Sequence, residues 1–167
     1  MKIEDNFLDQ EKFDELQTIM MGGDFSWFYR TIIDYQDDED KYQFVHVFYR
    51  VPSPRSAYFE KMRPILEIMN PLSLFRIKAN LLTRTHNIVE NEFHVDMDGI
   101  LEEKQKLWTT SIFYINTNNG YTEFEDGTKV ESVANRIVIF PSNMKHKGTS
   151  CTDEKTRVVM NFNYYLQ

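Results

Sequence analysis

The sequence predicts a mainly β protein of the α+β class, in which N-terminal helices support a jelly roll or β-sandwich. Apolar residues have helical spacing in two segments before residue 73, and from Leu74 onward they follow the period of two that is typical of strands. Turn signals such as Asp98-Gly99 and Asn118-Asn119-Gly120 divide the second part into short strands. We therefore expect one domain over residues 1–167, with helical support to about residue 73 and the jelly-roll core after it.

The first predicted element is a helix from Asp9 to Met21. Asp9 can cap its first turn, and Gly22-Gly23 ends it. The residues that would form its buried face are Phe13, Leu16 and Met20. The spacing of apolar residues thus predicts an amphipathic helix packed on the core.

The segment between the two predicted helices is less regular. Phe25–Tyr35 is rich in aromatic residues and fits either a strand or a helix, whereas the acidic run Asp37–Asp40 is typical of a solvated loop. β-Branched and aromatic residues predict a strand over Tyr42–Arg50. A second helix is expected to begin at Ser53-Pro54, kink at Pro64 and end near Asn70.

Seven strands are predicted for the C-terminal part. Their residues alternate between apolar and polar, and turn residues separate them. The predicted strands are Phe75–Thr83, Glu92–Val95, Thr109–Asn116, Tyr121–Phe124, Thr128–Val130, Arg136–Phe140 and Arg157–Tyr165. Such a run of short strands can support rigidly mounted side chains around a cavity.

Composition narrows the functional classes. The 19 basic and 26 acidic side chains give a net charge of −7, which disfavours a broad nucleic-acid-binding surface. Cys151 is the single cysteine, so a disulfide within the chain and a thiolate metal cluster are excluded. The N-terminus lacks the pattern of a signal peptide, and we expect a cytoplasmic protein without a membrane span.

A candidate metal site combines two distant parts of the chain. In an extended strand, His94 and Asp96 point the same way because side chains alternate between faces. His146 follows the apolar run Ile137–Phe140 and is the candidate third ligand. Two histidines and one carboxylate can hold Fe(II) and leave coordination positions open. Asp98 competes as the carboxylate, but Asp98-Gly99 is better explained as a turn.

Arg157 is the candidate anion-binding residue. It lies eleven residues after His146, at the start of the last predicted strand, and shares a face with Val159, Asn161 and Asn163. If that face lines a polar cavity, the guanidinium can donate two parallel hydrogen bonds to a carboxylate. The alternative is that Arg157 and the asparagines face solvent and bind nothing.

Taken together, these motifs resemble the Fe(II)/2-oxoglutarate dioxygenases, and most of all their prolyl 4-hydroxylase-like branch. The shared pattern is His-x-Asp, a histidine about fifty residues later and an arginine about ten residues beyond it. Ser111–Asn116 resembles that branch's tyrosine–aliphatic–asparagine strand, and Asn119-Gly120 stands in place of its pair of glycines. The C-terminal half is also similar to small phage-encoded members.

The resemblance implies a double-stranded β-helix core and specific roles. His94, Asp96 and His146 would hold the catalytic iron, and Arg157 would bind the distal carboxylate of 2-oxoglutarate. Tyr114 matches a tyrosine whose hydroxyl joins that carboxylate, and Thr122 would line the cosubstrate pocket. The implied cofactors are Fe(II), 2-oxoglutarate as cosubstrate and O2, with ascorbate as a further candidate.

The resemblance also implies an activity, hydroxylation of a C–H bond with release of succinate and CO2. A peptide or protein side chain, proline first, is the expected substrate, ahead of a small molecule. Two alternatives remain at this point. One is a jelly-roll binding module without catalysis, and the other is a nucleobase-dealkylating dioxygenase. The latter enzymes carry a second arginine at the position of Asn163.

Two further polar residues have structural interpretations. Asn80 shares a strand face with Arg76, Lys78 and Leu82, and a structural role is expected for it, although it could approach the cosubstrate. His46, between Phe44 and Phe48, is expected to be a core histidine with both ring nitrogens satisfied.

Overall fold

The protein is built on two antiparallel β-sheets, which together form a jelly-roll core. The computed structural model describes residues 1–33, 41–97 and 100–166. Within these ranges the strands are β1 (Lys2–Glu4), β2 (Phe28–Arg30), β3 (Gln43–Arg50), β4 (Ser53–Pro54), β5 (Ser73–Thr83), β6 (Thr109–Tyr114), β7 (Tyr121–Phe124), β8 (Lys129–Glu131), β9 (Ile137–Pro141), β10 (His146–Gly148) and β11 (Thr156–Tyr165). The predicted mainly β fold with a jelly-roll core is confirmed.

The larger sheet has the order β1-β9-β6-β11-β5-β3-β2, with β4 beside β3, and the smaller sheet has the order β10-β7-β8. Every strand pair in both sheets is antiparallel. Strands β1 to β4 come from the part of the chain predicted as helical support, yet they join the same sheet as the core strands. Residue 73 is therefore no boundary within the sheet.

The described ranges contain four helices, of which the first three pack residues into the main core. They are α1 (Gln10–Met21), a 3-10 helix (Ala57–Met62), α2 (Arg63–Met69) and α3 (Glu102–Gln105). Helix α1 begins as predicted, with the Asp9 carboxylate accepting a hydrogen bond of 3.1 Å from the Glu11 amide. No helix in the described ranges is long and apolar enough to span a membrane.

The two faces of β11 have the predicted polarity. The apolar face packs with α1 in the main core, which includes Phe13, Leu16, Met20, Val158, Met160, Phe162 and Tyr164. A second apolar cluster lies between the two sheets and includes Tyr114, Phe124, Val138, Phe140 and Val159. The opposite face of β11 turns Arg157 and Asn161 toward a cavity between the sheets. The site is thus mounted on a strand that is held from both sides.

Three predicted features differ from the structure. The second helix begins with Ser56 as its cap, because Ser53–Pro54 instead pairs with β3 as β4. Pro64 lies in the first turn of α2, where it needs no hydrogen-bonded amide, so it marks a helix start rather than a kink. The predicted strand Glu92–Val95 is reduced to an isolated bridge at His94.

Other differences concern the edges of the sheets. The polar loop expected around His146 contains β10, and the ambiguous segment Phe25–Tyr35 contains the short strand β2. The acidic run Asp37–Asp40 and the turn Asp98-Gly99 lie outside the described residues.

The buried histidine outside the cavity has the predicted structural role. His46 Nδ1 lies 2.7 Å from the Ser26 carbonyl oxygen, and Nε2 lies 2.7 Å from Ser56 Oγ. Its ring packs in tilted orientations against the rings of Phe25 and Phe48, with centroid distances of 4.4 and 4.7 Å. The expectation of a satisfied core histidine is confirmed.

Candidate metal centre and adjoining cavity

The structure brings His94, Asp96 and His146 together. One potential ligand atom from each residue lies within 4.8 Å of the others. The backbones of His94 and His146 form a β-bridge with two hydrogen bonds of 3.0 Å, which sets their rings side by side at a centroid distance of 4.9 Å. Pairing of the two segments, rather than a regular strand at His94, therefore aligns the histidines.

Both histidines have a defined tautomer when neutral. His94 Nδ1 lies 3.1 Å from the Glu92 carbonyl oxygen, and His146 Nδ1 lies 3.2 Å from the Met144 carbonyl oxygen. A carbonyl oxygen only accepts, so each Nδ1 carries the proton and each Nε2 carries a lone pair. Backbone carbonyls orient metal-binding histidines in this way in many proteins.

His146 Nε2 is the clearest sign that the site fits a metal ion. This atom is buried and has no hydrogen-bond partner among the described residues. A buried polar atom without a partner is costly, and a bound cation would remove the cost. Two imidazole nitrogens and a carboxylate oxygen also form the donor set of a non-haem Fe(II) site. The residues present thus fit the metal that the sequence pattern implied.

Burial keeps His146 uncharged near neutral pH. It lowers the pKa of His146 to about 4, although the Asp96 carboxylate acts in the opposite direction. A histidine must be neutral to donate its lone pair to a metal. The site is thus ready to bind a cation without first losing a proton from this residue.

Asp96 is held by a network of donors. Arg76 Nη2 donates to Asp96 Oδ1 at 3.1 Å and to the Asp96 carbonyl at 3.0 Å. Asn161 Nδ2 and Asn163 Nδ2 lie 3.0 and 3.2 Å from Asp96 Oδ2. Burial alone would raise the pKa of Asp96, but the neighbouring positive charge, above all that of Arg76, outweighs it and holds that pKa well below its usual range. The carboxylate is therefore ionised and fixed in orientation.

Arg157 is a buried cation beside the metal site. Its side chain is 3% exposed, and its Nε donates to Ser132 Oγ at 2.8 Å. Its Nη2 donates to Thr122 Oγ1 at 3.2 Å. Burial lowers the pKa of Arg157 from its usual value, and no Asp or Glu in the described ranges forms an ion pair with it. A buried charge without a counter-ion is costly, so the position favours an anionic ligand.

Tyr114 does not line the cavity, although the resemblance implied that its hydroxyl contacts the cosubstrate. Its hydroxyl donates to Thr122 Oγ1 at 2.9 Å, and the residue itself is fully buried outside the cavity lining. Burial raises the pKa of Tyr114, so the hydroxyl keeps its proton. Because Thr122 Oγ1 accepts from both Tyr114 and Arg157, its own hydrogen can point to a ligand in the cavity.

The cavity joins the metal residues to Arg157. The volume that water-sized molecules can occupy in it is about 60 Å3, and the cavity opens to solvent. Its polar lining includes Gln43, Lys78, Asn80, Asn91, His94, Asp96, Thr122, His146, Arg157 and Asn161. The predicted metal residues, Arg157 and Thr122 therefore face one space.

Sequence reasoning missed several partners in this site. Arg76 shares a strand face with Asn80, and that parity could have indicated its approach to Asp96. Nothing local in the sequence distinguishes Ser132 or Asn91, because the sheets bring them to the site from separate loops.

Gly120 is required by close packing behind Arg157. A Cβ atom at this position would lie 2.6 Å from both Arg157 Cδ and the Ser150 carbonyl oxygen. The second residue of Asn119-Gly120 is thus the one that must remain glycine, although the first has a side chain.

Comparisons with known proteins support the fold. No family model matches the chain, and no curated protein matches it by sequence. Among solved structures, it is similar to a prolyl hydroxylase from Trichoplax adhaerens in complex with a hypoxia inducible factor oxygen degradation domain peptide fragment. The TM-score is 0.68 at 11% identity, and the match covers 98% of this chain and 82% of that chain.

Two other solved structures represent different activities on the same fold. The viral collagen prolyl hydroxylase of Paramecium Bursaria Chlorella virus-1, solved as a 2OG complex, has a TM-score of 0.58 at 13% identity, covering 99% of this chain and 96% of that chain. The α-ketoglutarate-dependent epimerase SnoN from nogalamycin biosynthesis has a TM-score of 0.66 at 12% identity, covering 97% of this chain and 76% of that chain. The chain therefore has the jelly-roll fold of the 2-oxoglutarate oxygenases, including their prolyl hydroxylase-like members.

Proposed function

We propose that this chain is an Fe(II)- and 2-oxoglutarate-dependent oxygenase that hydroxylates a substrate C–H bond, with release of succinate and CO2. One observation carries the proposal: the His94, Asp96 and His146 cluster shares a cavity with a buried Arg157 that forms no ion pair within the described residues. 2-Oxoglutarate needs a metal site next to an anion site, because its keto group and adjacent carboxylate chelate the metal while its second carboxylate needs a cationic partner.

Each residue has a defined task in this proposal. His94, Asp96 and His146 would hold the metal, and the Arg76 contact keeps Asp96 ionised and oriented. Arg157 would bind the distal carboxylate, with the Thr122 hydroxyl as a further donor. When bound, Fe(II) and 2-oxoglutarate together supply the activation of O2, from which one oxygen atom enters the substrate and the other enters succinate.

The predicted role of Tyr114 becomes indirect in this proposal. Its hydroxyl donates to Thr122 Oγ1 and so directs the Thr122 hydrogen toward the cavity. Tyr114 would then act as a positioning residue for the cosubstrate. Replacement by phenylalanine should weaken 2-oxoglutarate binding less than loss of Thr122 itself.

We infer that the substrate is a peptide or protein side chain, with proline first. A second hollow, in which water-sized molecules can occupy about 150 Å3, adjoins the cavity and shares Ile33, Leu82 and Asn91 with it. An extended substrate could occupy both spaces at once. The Trichoplax prolyl hydroxylase binds a peptide on the same fold, which supports this preference, whereas SnoN supports a small molecule as the second candidate.

Anaerobic titration of the purified protein with Fe(II) and 2-oxoglutarate tests the cofactor assignment. We expect one metal ion per chain, and 2-oxoglutarate binding that depends on the metal and on Arg157. His146→Ala should lose metal binding while the protein remains folded. Metal-independent binding of 2-oxoglutarate, or full metal affinity in His146→Ala, would refute the assignment. A folded protein that binds neither would instead support a binding module without catalysis.

Substrate class is tested by mass spectrometry on the iron-loaded protein. Lysate proteins, pools of proline-containing peptides, free amino acids and oligonucleotides are incubated separately with 2-oxoglutarate and O2. We expect a gain of one oxygen atom in peptides, absent in His94→Ala. A gain confined to free amino acids or oligonucleotides would exclude the peptide assignment and leave the oxygenase assignment intact.

A further inference from the structure

We propose that Asn80 is a substrate-binding residue whose side-chain oxygen accepts a hydrogen bond from an N–H or O–H group of the substrate. The inference rests on the proposed function for the identity of the cavity's occupant. Beyond that function, it names the atom that recognises the substrate and the chemical group that the substrate must present.

The orientation of the Asn80 carboxamide is fixed through a chain of contacts that begins at Asp96. The ionised carboxylate of Asp96 only accepts, so the atom of Asn161 within 3.0 Å of it must be the donor Nδ2. The other end of that carboxamide, Asn161 Oδ1, then faces Asn80 at 3.3 Å. An oxygen there requires a donor, so Asn80 presents Nδ2 to Asn161 and turns Oδ1 away.

Asn80 Oδ1 is left without a partner. The atom is buried and accepts no hydrogen bond from any described residue. Its neighbours across the sheet explain this, because Asn80 is paired with Val159 on β11 and with Val45 on β3. Neither valine has a side-chain donor, and Asn80 lines the cavity. An acceptor is thus presented to whatever fills this space.

The proposed cosubstrate cannot supply the missing hydrogen. At neutral pH 2-oxoglutarate carries two carboxylates and a ketone, which are acceptors only. An oxygen atom of the cosubstrate placed against Asn80 Oδ1 would be repelled. While the cavity holds no substrate, a water molecule can donate to this oxygen, and a substrate that displaces the water must supply the donor itself.

A peptide meets this requirement with its backbone. A proline residue has no N–H, but the residue that follows it does, and an extended peptide carries such donors at regular intervals. The acceptor also selects against substrates that are purely apolar or carry only acceptors, because they would leave Oδ1 buried and unpaired.

Lys78 offers the one competing explanation on the same strand face. It also lines the cavity, and its ammonium group is a donor. If Lys78 satisfied Asn80 in solution, Lys78→Met would change the Asn80 signals in the absence of any ligand. The proposal expects those signals to remain in place.

A binding experiment tests the acceptor without knowledge of the substrate. N-methylacetamide has one N–H group, and N,N-dimethylacetamide has none. Each is titrated into 15N-labelled, zinc-loaded protein while the Asn80 side-chain amide signals, identified by their loss in Asn80→Ala, are followed by NMR. We expect N-methylacetamide alone to shift them. Equal shifts with both probes, or no shift with either, would overturn the proposal.

Turnover measurements test the role in recognition. With a pool of proline-containing peptides, Asn80→Ala should raise the peptide concentration for half-maximal succinate formation by about tenfold, with the KM for 2-oxoglutarate unchanged. Asn87→Ala, which removes an exposed carboxamide outside the cavity, serves as the control and should match the wild type. A raised KM for 2-oxoglutarate with an unchanged peptide response would assign Asn80 to the cosubstrate instead. If the wild type forms no succinate, the proposed function fails, and the NMR probes still decide the role of Asn80.

Discussion

At the scale of single residues, Arg157 is a buried guanidinium with hydroxyl partners but no counter-ion in the described part of the chain. We expect Arg157→Ala to weaken 2-oxoglutarate binding by roughly tenfold to a hundredfold or more, because a charge-assisted bidentate contact contributes about 1.5–3 kcal/mol. Arg157→Lys should recover only part of the affinity, since an ammonium group cannot present two parallel donors. Calorimetric titration at constant metal concentration measures both. Equal affinity in the wild type and Arg157→Ala would remove the residue from the cosubstrate site.

The buried His146 of the candidate metal centre makes the metal-free protein sensitive to acid. The pKa of His146 is about 4 in the folded protein, below its ordinary value of 6.5, so the unfolded chain binds the additional proton first. The contribution of neutral His146 to the free energy of unfolding is therefore fully present above about pH 6.5. It is lost as the pH decreases toward 4, by up to about 3 kcal/mol. The depressed pKa of Asp96 acts in a separate window, below the ordinary pKa of an aspartate.

Urea unfolding of the metal-free protein at a series of pH values measures this loss. His146→Asn should flatten the dependence between pH 6.5 and 4, because the titrating group is gone. An unchanged slope in that variant would show that another group controls acid stability.

The candidate site residues were easier to predict from the sequence than their partners. His94 and Asp96 are two residues apart, and Arg157 begins a strand of alternating polarity, so local patterns identified all three. Only the folding of separate loops brings Ser132 against Arg157 and Asn91 to the cavity lining. Tyr114 was identified, but no local pattern could show that the Thr122 hydroxyl lies between it and the cavity.

At the scale of elements, the approach of the β7 segment to Arg157 depends on Gly120. We expect Gly120→Ala to destabilise the protein by about 1–3 kcal/mol and to weaken 2-oxoglutarate binding, because the added methyl group would displace Arg157 or the Ser150 backbone. Gly23→Ala is the matched control, since a Cβ atom there would meet nothing within 4 Å. Thermal unfolding and cosubstrate titration on both variants check this. Similar behaviour of the two variants would contradict the packing argument.

The strands with strong alternation were predictable, whereas β10 and the pairing at His94 were not. β7 has the predicted bounds, and β5 and β11 differ from prediction by one or two residues. β10 has only three residues and exists because Lys147 and its neighbours pair with β7, which no local pattern in a polar loop announces. Another non-local pairing, between His94 and His146 on β10, forms only a single bridge where a strand was predicted.

At the scale of the whole molecule, Asn135 joins the N-terminal segment to the sheet. Its side chain donates to the Leu8 carbonyl and accepts from the Leu8 amide, each at 2.9 Å, and its φ is 62°. We expect Asn135→Ala to cost about 2–4 kcal/mol, because two buried backbone groups lose their partners and alanine is disfavoured in the left-handed region. Metal affinity should be unchanged.

Thermal unfolding should place Asn135→Ala roughly 5–15 °C below the wild type. Asp5→Ala is the comparison, because it removes a two-point ion pair between the same segment and Arg136 and should cost no more than about 1 kcal/mol. A small change in Asn135→Ala, or an equal change in both variants, would show that this attachment contributes little.

The position of β11 in the larger sheet has a consequence for synthesis of the chain. β11 lies between β5 and β6 and hydrogen-bonds to both, yet a ribosome produces it after either of them. Until it emerges, two strands expose unpaired backbone edges that can join strands of other chains. Refolding is expected to be slow, on a scale of roughly milliseconds to seconds, since these pairings are distant in sequence. Aggregation should therefore be most severe during translation. Slower translation of the codons between β6 and β11 should lower the yield of soluble protein.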